Sequence, residues 1–430
     1  MAYRPTEVIE VRIWNMTVGA IVFDSASNFF AFEYSPEFVF EKLEISPLHM
    51  PAGNRVWTFP TLSVETFRRL PAVFADSLPD DFGNALVNAE LARLGVPASD
   101  ISALDRLAYL GSRGVGALEY RPARGDLTRR ATAVEIAELV VAARSAIRGH
   151  FGEDEAAQSA LSHLIQVGTS AGGARAKAVI AWNPRTKEVR SGQVDAPVGF
   201  EHWLVKLDLE DADRLGGGLG FGRIEYAYHL MARSAGVVMS DCQLLEEGGR
   251  AHFMTRRFDR VADEKVHVQT LCAMDHLDYR QVDTHAYEQY LAVIDRLGLG
   301  EAALEEGFRR MVFNCFAANL DDHTKNLSFT MTGDGIWNLA PAYDITHSYN
   351  AQGRWASQHQ MSINGRFADL TDQDIAEVAG RFMIPGWREI VARVREAISL
   401  WPSFADQAGV GKSRTEEVAR DIAQLAPLAV

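Results

Sequence analysis

The chain has 430 residues, of which 47% are hydrophobic, so it is long and apolar enough for two or three globular domains and is not intrinsically disordered. Its formal net charge of −14 disfavours broad electrostatic attraction to nucleic acid. The three cysteines lack CxxC spacing, no apolar run has membrane-spanning length, and the start shows no signal-peptide pattern. We therefore expect a cytoplasmic protein without a disulfide framework, a cysteine-rich zinc site or membrane contact.

The first third of the chain predicts strands followed by a helix. Apolar residues alternate with polar ones at residues 9–13, and two further strand-like runs follow at 18–23 and 29–34. Two later stretches have the apolar spacing of helices, at residues 80–94 and 133–147. Between these stretches, Arg121–Asp126 combines Pro and Gly with charged residues and is the best linker candidate.

The rest of the chain changes from a mixed to a helical pattern. Two apolar runs, 203–207 and 253–255, predict buried strands, with a helix over 225–234 between them. Beyond residue 285 helices dominate, and Thr371–Asp374 has the pattern of a capping box. A sheet-rich first half and a helical second half predict an α+β protein with two lobes.

A short polar segment concentrates the residues that could carry chemistry. Asp321 and Asn326 lie five positions apart, and two predicted hairpin strands, 327–331 and 336–339, separate them from Asp344. Because a hairpin brings its ends together, Asn326 and Asp344 should converge, with Asp321 just upstream. An acidic base, an amide oxygen and a second carboxylate are what phosphoryl transfer from Mg-ATP requires, in the order of a protein-kinase catalytic loop. A polar loop that merely caps a surface hairpin is the alternative.

Lys206 lies inside an otherwise apolar predicted strand. A lysine there costs desolvation energy unless an anion meets it. In kinases a strand lysine neutralises nucleotide phosphates and pairs with a helical glutamate, and here Glu225 opens the next predicted helix. The alternative is that Lys206 faces solvent on an edge strand.

The segment Val167–Lys177 is a glycine-rich loop that could bind phosphate oxygens through its backbone amides. It has neither Walker A nor GxGxxG spacing. Its Gly168–Gly172 portion matches GxSxG, which raises the alternative of a serine hydrolase with Ser170 as nucleophile and His347 as base. In that case Asp321 or Asp344 would complete the triad. Against it, the chain does not alternate strands and helices as an α/β-hydrolase does, and it lacks an HGGG-type segment.

Together these motifs resemble the HipA family of toxin serine/threonine kinases from bacterial type II toxin–antitoxin modules. The resemblance covers nearly the whole chain and rests on motifs in the family's order: Ser77–Gly83, Leu110–Leu118, Ser170–Lys177, His202–Lys206, Arg257–Arg260, Asp321–Asn326 and Pro341–Asp344. Ordinary kinases have His-Arg before the catalytic Asp and a DFG motif, whereas this chain has Asn319-Leu320 and Tyr343–Ile345, which favours this family.

The resemblance implies an ATP- and Mg²⁺-dependent kinase with Asp321 as catalytic residue and Asn326 and Asp344 as magnesium ligands. The residues that it places at ATP are Ser170, Gly172, Gly173, Lys206, Arg256, Phe258, Asp259 and His323. The hinge that holds adenine would run over 256–259, and its first residue, often Glu in the family, is Arg256 here. We expect little loss from this change because hinges bind adenine largely through backbone groups.

Ser170 would be the autophosphorylation site by the same resemblance, with Thr169 as the adjacent fallback. A phosphate added there would be repelled by the nucleotide phosphates, so the Gly172-Gly173 loop would leave the ATP site and silence the kinase.

The resemblance also implies an architecture and partners. A HipA-type N-terminal α/β subdomain would occupy 1–122, the ATP-binding part of the kinase core 150–260, and an all-helical C-terminal lobe 261–430. A small DNA-binding antitoxin would be the partner and would make most of the DNA contact. The family's target class is aminoacyl-tRNA synthetases, and phosphorylation would inhibit growth. A non-catalytic pseudokinase that acts as a binding scaffold is the remaining alternative.

Overall fold

A computed structural model of the chain describes residues 3–124, 176–192, 196–209, 220–261 and 264–427, together with residues 136, 138–140 and 143. The chain forms two compact units. The first comprises Met1–Leu219, Leu245–Gln269 and Met331–Gly335, and the second comprises Gly220–Leu244, Thr270–Thr330 and Ile336–Val430. The finer division at 122, 150 and 260 stays a prediction.

The first unit begins with a five-stranded antiparallel sheet. Its strands are β1 Val8–Ile13, β2 Met16–Asp24, β3 Phe29–Tyr34, β4 Val56–Trp57 and β5 Leu118–Arg121, in the order β4-β3-β2-β1-β5. The alternation that predicted β1 is confirmed, because Ile9, Val11 and Ile13 are each fully buried. Arg121 closes β5, so the predicted linker begins at the end of a strand.

Five helices accompany this sheet: α1 Pro36–Glu41, α2 Val64–Phe67, α3 Ala72–Ala75, α4 Asp81–Arg93 and α5 Ala103–Leu110. The helix predicted over 80–94 is confirmed as α4. Its first turn is fixed by Asp80, whose carboxylate accepts a hydrogen bond from the Gly83 amide at 2.7 Å. The second predicted helix, 133–147, lies largely outside the described residues, and those of its residues that are described are helical.

A second five-stranded sheet follows in the order β7-β6-β8-β10-β9. Its strands are β6 Lys177–Trp182, β7 Val189–Ser191, β8 Glu201–Lys206, β9 Cys242–Glu247 and β10 Arg250–Arg256. The two predicted strands are confirmed as β8 and β10, which pair antiparallel. Trp182 and Trp203 meet edge to face with ring centroids 5.6 Å apart in the core beneath this sheet.

A buried histidine, His252, is expected to couple stability to pH. His252 is fully buried, and its Nδ1 accepts a hydrogen bond from the Asp208 backbone N–H at 2.8 Å, so this ring nitrogen carries no proton. Burial lowers the pKa of His252 to about 4. The unfolded histidine titrates near about 6.5, so between these values the unfolded chain binds a proton that the folded chain does not.

We therefore expect the free energy of unfolding to fall as the pH drops from about 6.5 towards about 4, by up to about 1.4 kcal/mol per pH unit for this histidine. Urea unfolding at pH 7, 6 and 5 measures the slope. His252→Asn keeps an acceptor near the Nδ1 position but cannot be protonated, so it should reduce the slope by the share of this histidine. An unchanged slope in this variant would assign the acid sensitivity to other groups.

The second unit is predominantly helical. Its helices are α6 Phe221–Ser234, α7 Leu271–Met274, α8 Tyr287–Arg296, α9 Glu301–Phe316, α10 Asp372–Arg381, α11 Trp387–Ser399, α12 Trp401–Gln407 and α13 Lys412–Leu425. The predicted capping box of α10 is confirmed, since Thr371 and Asp374 exchange side-chain to backbone hydrogen bonds. The helix predicted from 225 starts four residues earlier, after Gly220, whose φ of +102° suits glycine. None of the helices described is long and apolar enough to cross a membrane.

Short strands complete the chain: β11 Arg260–Val261, β12 Glu264–Lys265, β13 His267–Thr270, β14 His285–Ala286, β15 Ser328–Met331, β16 Trp337–Leu339 and β17 Met361–Ser362. The predicted hairpin is confirmed, because β15 and β16 are hydrogen-bonded neighbours. A parallel pair, β14 with β17, lies beside the start of α8. The prediction that residues 261–430 are all-helical is therefore wrong in this detail, because the hairpin β15–β16 and the pair β14–β17 lie among the helices. The polar segment described next directly precedes β15.

Candidate active site

The loop between α9 and β15 carries the first two predicted site residues. The Asp321 side chain is 49% exposed, so its carboxylate is accessible. Asn326 closes a single 3-10 turn, and its Nδ2 donates to the Asp321 carbonyl at 2.8 Å. That bond uses the amide nitrogen and leaves the Asn326 oxygen as the atom that can bind a metal.

His323 lies beside Asp321. Its Nε2 is 3.6 Å from Asp321 Oδ1, and its ring lies 5.4 Å from the ring of Tyr279. The imidazole is therefore held between an aromatic face and the predicted base. The ATP contact predicted for His323 stays a prediction.

The predicted convergence of Asn326 and Asp344 is observed. Both line one pocket, together with Arg310, Asn314, Asn319, Asp322, Leu327, Ala342, Tyr343 and Ile345. Tyr343 joins the two ends of the hairpin, since its hydroxyl, after β16, donates to the Lys325 carbonyl, before β15, at 2.7 Å. Asp344 follows with a φ of +53°, a conformation that few residues other than glycine adopt.

The donor set of this pocket fits magnesium. An amide oxygen and a carboxylate are hard oxygen ligands, and Mg²⁺ commonly takes only one or two protein ligands and completes its shell with water and phosphate oxygens. Among the residues that the structure describes, no group of three or more His, Cys, Asp or Glu could hold a metal ion. A magnesium ion at Asn326 and Asp344 would thus depend on the nucleotide for its remaining ligands.

Lys206 lies on a central strand. β8 pairs with β6 on one side and with β10 on the other, where Lys206 is opposite Lys177 and Phe253 respectively. Its side chain is half-buried, with Nζ 5.7 Å from the centroid of the Phe253 ring. The edge-strand alternative is therefore excluded. Glu225 is buried in α6 of the second unit, and its pairing with Lys206 stays a prediction.

Lys177, the last cation of the glycine-rich segment, has a structural partner. It is buried, and its Nζ lies 3.1 Å from Asp80 Oδ2, so the ion pair joins β6 to the first turn of α4. Burial raises the pKa of Asp80, and the charge of Lys177 opposes this only in part. The predicted phosphate-binding residues of the same segment, Ser170, Gly172 and Gly173, and the fallback Thr169 lie outside the described residues.

The predicted hinge contains a buried ion cluster. The Asp259 carboxylate accepts hydrogen bonds from Arg257 Nη2 at 2.6 Å, from Arg260 Nη1 at 2.8 Å and from the Gly116 amide at 2.8 Å. Any contact of Asp259 with adenine would therefore use its backbone. Arg256 is exposed and Phe258 is half-buried, and their predicted ATP contacts are not tested by this geometry. The cluster joins two motifs of the family resemblance, Leu110–Leu118 and Arg257–Arg260.

The base that the hydrolase alternative requires is engaged elsewhere. His347 is buried, and its Nε2 lies 2.9 Å from Asp421 Oδ2 in α13. Burial lowers the pKa of His347. Its carboxylate partner is thus neither Asp321 nor Asp344, which removes the catalytic triad proposed for a hydrolase.

Asp322 is the functional candidate that sequence reasoning missed. It is buried and lines the pocket, while three donors from distant segments meet its carboxylate: the Tyr287 hydroxyl, the His359 ring and the Gln360 amide. The Asp-Asp dipeptide was the only local signal. Its partners lie 35 to 38 positions away along the chain, where no sequence pattern indicates a contact.

Comparisons with known proteins identify the family. The family described as the HipA N-terminal domain matches residues 9–121, and the HipA-like C-terminal domain matches residues 169–429. No curated protein sequence matches the chain.

Solved structures show the fold. The HipA chain of the Shewanella oneidensis MR-1 toxin–antitoxin complex of HipA, HipB and operator DNA is 16% identical, with a TM-score of 0.67 over 97% of this chain and 95% of that chain. The match shows that this chain has the fold of that HipA chain and confirms the predicted α+β class. The Helicobacter pylori proinflammatory kinase CtkA is 14% identical over 52% of this chain and 92% of that chain, and its TM-score of 0.32 is too low to establish a shared fold. Since the C-terminal domain family alone spans residues 169–429, more than half of the chain, this protein belongs to the HipA family.

Proposed function

We propose that this protein is a toxin kinase that transfers the γ-phosphate of ATP to serine or threonine hydroxyls of proteins. The observation that carries the proposal is that Asn326 and Asp344 line one pocket, together with Asp322, whose neighbour in the sequence, Asp321, has an accessible carboxylate. A base, an amide oxygen and a second carboxylate are the groups that in-line phosphoryl transfer requires, which supports the proposal.

Each residue has a distinct role in the proposed reaction. Asp321 accepts the proton of the attacking hydroxyl, and its half-exposed side chain leaves room for a protein substrate. Asn326 and Asp344 hold Mg²⁺, which neutralises charge on the phosphate oxygens when it is bound. Lys206 binds the nucleotide phosphates, and its backbone is held rigidly because its strand is paired on both sides.

The proposed partners follow from the family. The Shewanella HipA was solved with HipB and operator DNA, and we propose that this chain likewise binds a small DNA-binding antitoxin. Its net charge of −14 favours DNA contact mainly through that antitoxin. The proposed substrate is another protein, with an aminoacyl-tRNA synthetase as the class that the family resemblance favours, and its phosphorylation would inhibit growth.

Self-phosphorylation at Ser170 gives the direct test. Protein dephosphorylated beforehand is incubated with Mg-ATP and its intact mass is measured. We expect wild type to gain one phosphate and Ser170→Ala and Asp321→Ala to gain none, because the first lacks the acceptor and the second lacks the base.

The outcomes separate the parts of the proposal. A phosphate gained by Ser170→Ala would move the acceptor elsewhere, with Thr169→Ala as the next variant, and would keep the kinase. A wild type that neither gains phosphate nor phosphorylates an added aminoacyl-tRNA synthetase would favour the pseudokinase scaffold instead. In that case Asp321→Ala should leave growth inhibition intact.

A further inference from the structure

The carboxylate of Asp322 is buried, in contrast to its neighbour Asp321. Asp322 is 2% exposed. Its Oδ1 accepts the Gln360 backbone N–H at 2.7 Å, and its Oδ2 accepts the Tyr287 hydroxyl and the His359 Nδ1–H, both at 2.8 Å. Three donors therefore fix both oxygens of this side chain.

The hydrogen bonds continue from Tyr287 back to the start of the same loop. Asn314 Nδ2 donates to the Tyr287 hydroxyl at 2.9 Å, and Asn319 Nδ2 donates to Asn314 Oδ1 at 2.9 Å. Every residue in this series is buried. Burial raises the pKa of Tyr287 well above its usual value, so its hydroxyl keeps the proton that it donates to Asp322.

Stability alone does not explain this arrangement. Burial of a carboxylate costs several kcal/mol, and a phenol, an imidazole and an amide offset that cost less directly than a paired arginine would. Polar networks of this kind impose one geometry. Here the network fixes the position of the peptide between Asp321 and Asp322. The carbonyl of that peptide also accepts a hydrogen bond from Asn326 Nδ2 at 2.8 Å.

The same carboxylate anchors the chain that follows Asp344. His359 and Gln360 immediately precede β17, which pairs in parallel with β14 just before Tyr287. Asp322 thus accepts one hydrogen bond from Tyr287 at the start of α8, just after β14. It accepts two from His359 and Gln360, just before β17. The loop with the predicted base and the chain downstream of the predicted metal ligand are joined at one side chain.

We propose that Asp322 is a positioning residue for phosphoryl transfer, which holds Asp321 and Asn326 in register with Asp344 through its bonds to Tyr287 and His359. The inference rests on the proposed kinase function and adds to it the buried group that fixes the geometry. Positioning of reacting groups lowers the barrier without contributing to the affinity for ATP. Loss of Asp322's partners should therefore lower the maximum rate and leave nucleotide binding unchanged.

The test compares variants that remove one donor each. Tyr287→Phe removes the hydroxyl with little change of volume, and His359→Leu removes the imidazole donor. His359→Asn restores a donor close to the Nδ1 position. Tyr34→Phe is the matched control, because it also loses a buried phenol hydrogen bond, to the Met50 carbonyl at 2.7 Å, but in the N-terminal sheet of the first unit.

The rate of phosphate transfer is measured against Mg-ATP concentration, with thermal unfolding of each variant alongside. We expect Tyr287→Phe and His359→Leu to lower the maximum rate about 10- to 100-fold, as for lost bonds to a charged group, with an unchanged half-saturating ATP concentration. His359→Asn should recover most of the loss, and Tyr34→Phe should keep the wild-type rate.

Two failures remain distinguishable. If the wild type transfers phosphate and both donor variants match the rate of Tyr34→Phe, the positioning role is overturned and the kinase stands. If the wild type transfers none, the proposed function fails and the inference falls with it. Should His359→Leu not fold, the comparison of Tyr287→Phe with Tyr34→Phe decides the question.

Discussion

Asp321→Asn is expected to lower the maximum rate of phosphate transfer by about 10²- to 10⁴-fold, the usual contribution of a positioned general base. The substitution is nearly isosteric and removes only the group that accepts the proton. The bond from Asn326 Nδ2 ends on the main-chain carbonyl of Asp321, so the loop keeps its principal contact. The half-saturating concentration of Mg-ATP and the unfolding temperature should therefore stay at their wild-type values.

Single-turnover transfer from Mg-ATP to dephosphorylated protein measures this effect. Asp295→Asn is the control, since it removes an exposed carboxylate from α8 with no change at the pocket. Asp344→Asn offers a contrast, because a lost metal ligand should raise the Mg²⁺ concentration needed for activity. An Asp321→Asn enzyme with the wild-type rate would exclude this carboxylate as the base.

Local patterns in the sequence were sufficient for much of the fold. Period-two alternation located β1, strand-like apolar runs located β2 and β3, and the capping box that begins at Thr371 marked the start of α10. The turn residues between β15 and β16 predicted the hairpin, and the hairpin in turn brought Asn326 and Asp344 to one pocket. Each of these features depends on residues that are close together in the chain.

Long-range polar contacts could not be predicted in this way. Asp80 and Lys177 pair across the first unit, and the Asp259 carboxylate meets the Gly116 amide 143 positions away. Single-sequence periodicity shows which side chains face a core but does not show which buried charges meet. The sequence singled out Lys206 because a charged residue interrupts an apolar run. It did not show that Lys177 pairs with Asp80, which became apparent only from the fold.

The buried cluster around Asp259 gives the largest expected effect on stability. Asp259 is 3% exposed, and the side chains of Arg257 and Arg260 are 5% and 8% exposed. Asp259→Asn keeps an acceptor for the Gly116 amide but leaves two buried guanidinium groups without their counter-charge. Loss of one member of a buried ion pair costs about 3–5 kcal/mol, and we expect a fall of that size in the free energy of unfolding at pH 7.

The pH dependence of this contribution has a definite sign. Burial raises the pKa of Asp259, but Arg257, Arg260 and the hydrogen bonds lower it more, so the folded-state pKa lies well below its usual range. The contribution is therefore present above the unfolded value of about 3.9 and is lost as the pH falls below it. This window lies below that of His252, so the two effects separate in a pH series.

Urea unfolding of matched variants shows whether uncompensated charge is the cause. Arg256→Ala removes a partly exposed ion pair with Glu201, 3.7 Å away, and should cost no more than about 1 kcal/mol. If buried positive charge destabilises Asp259→Asn, then Arg257→Met added to it should restore part of the lost stability, because one unpaired guanidinium group disappears. A further loss in the double variant would show instead that Arg257 stabilises the fold through its other contact, with the Gly114 carbonyl at 3.4 Å, and through packing of its side chain.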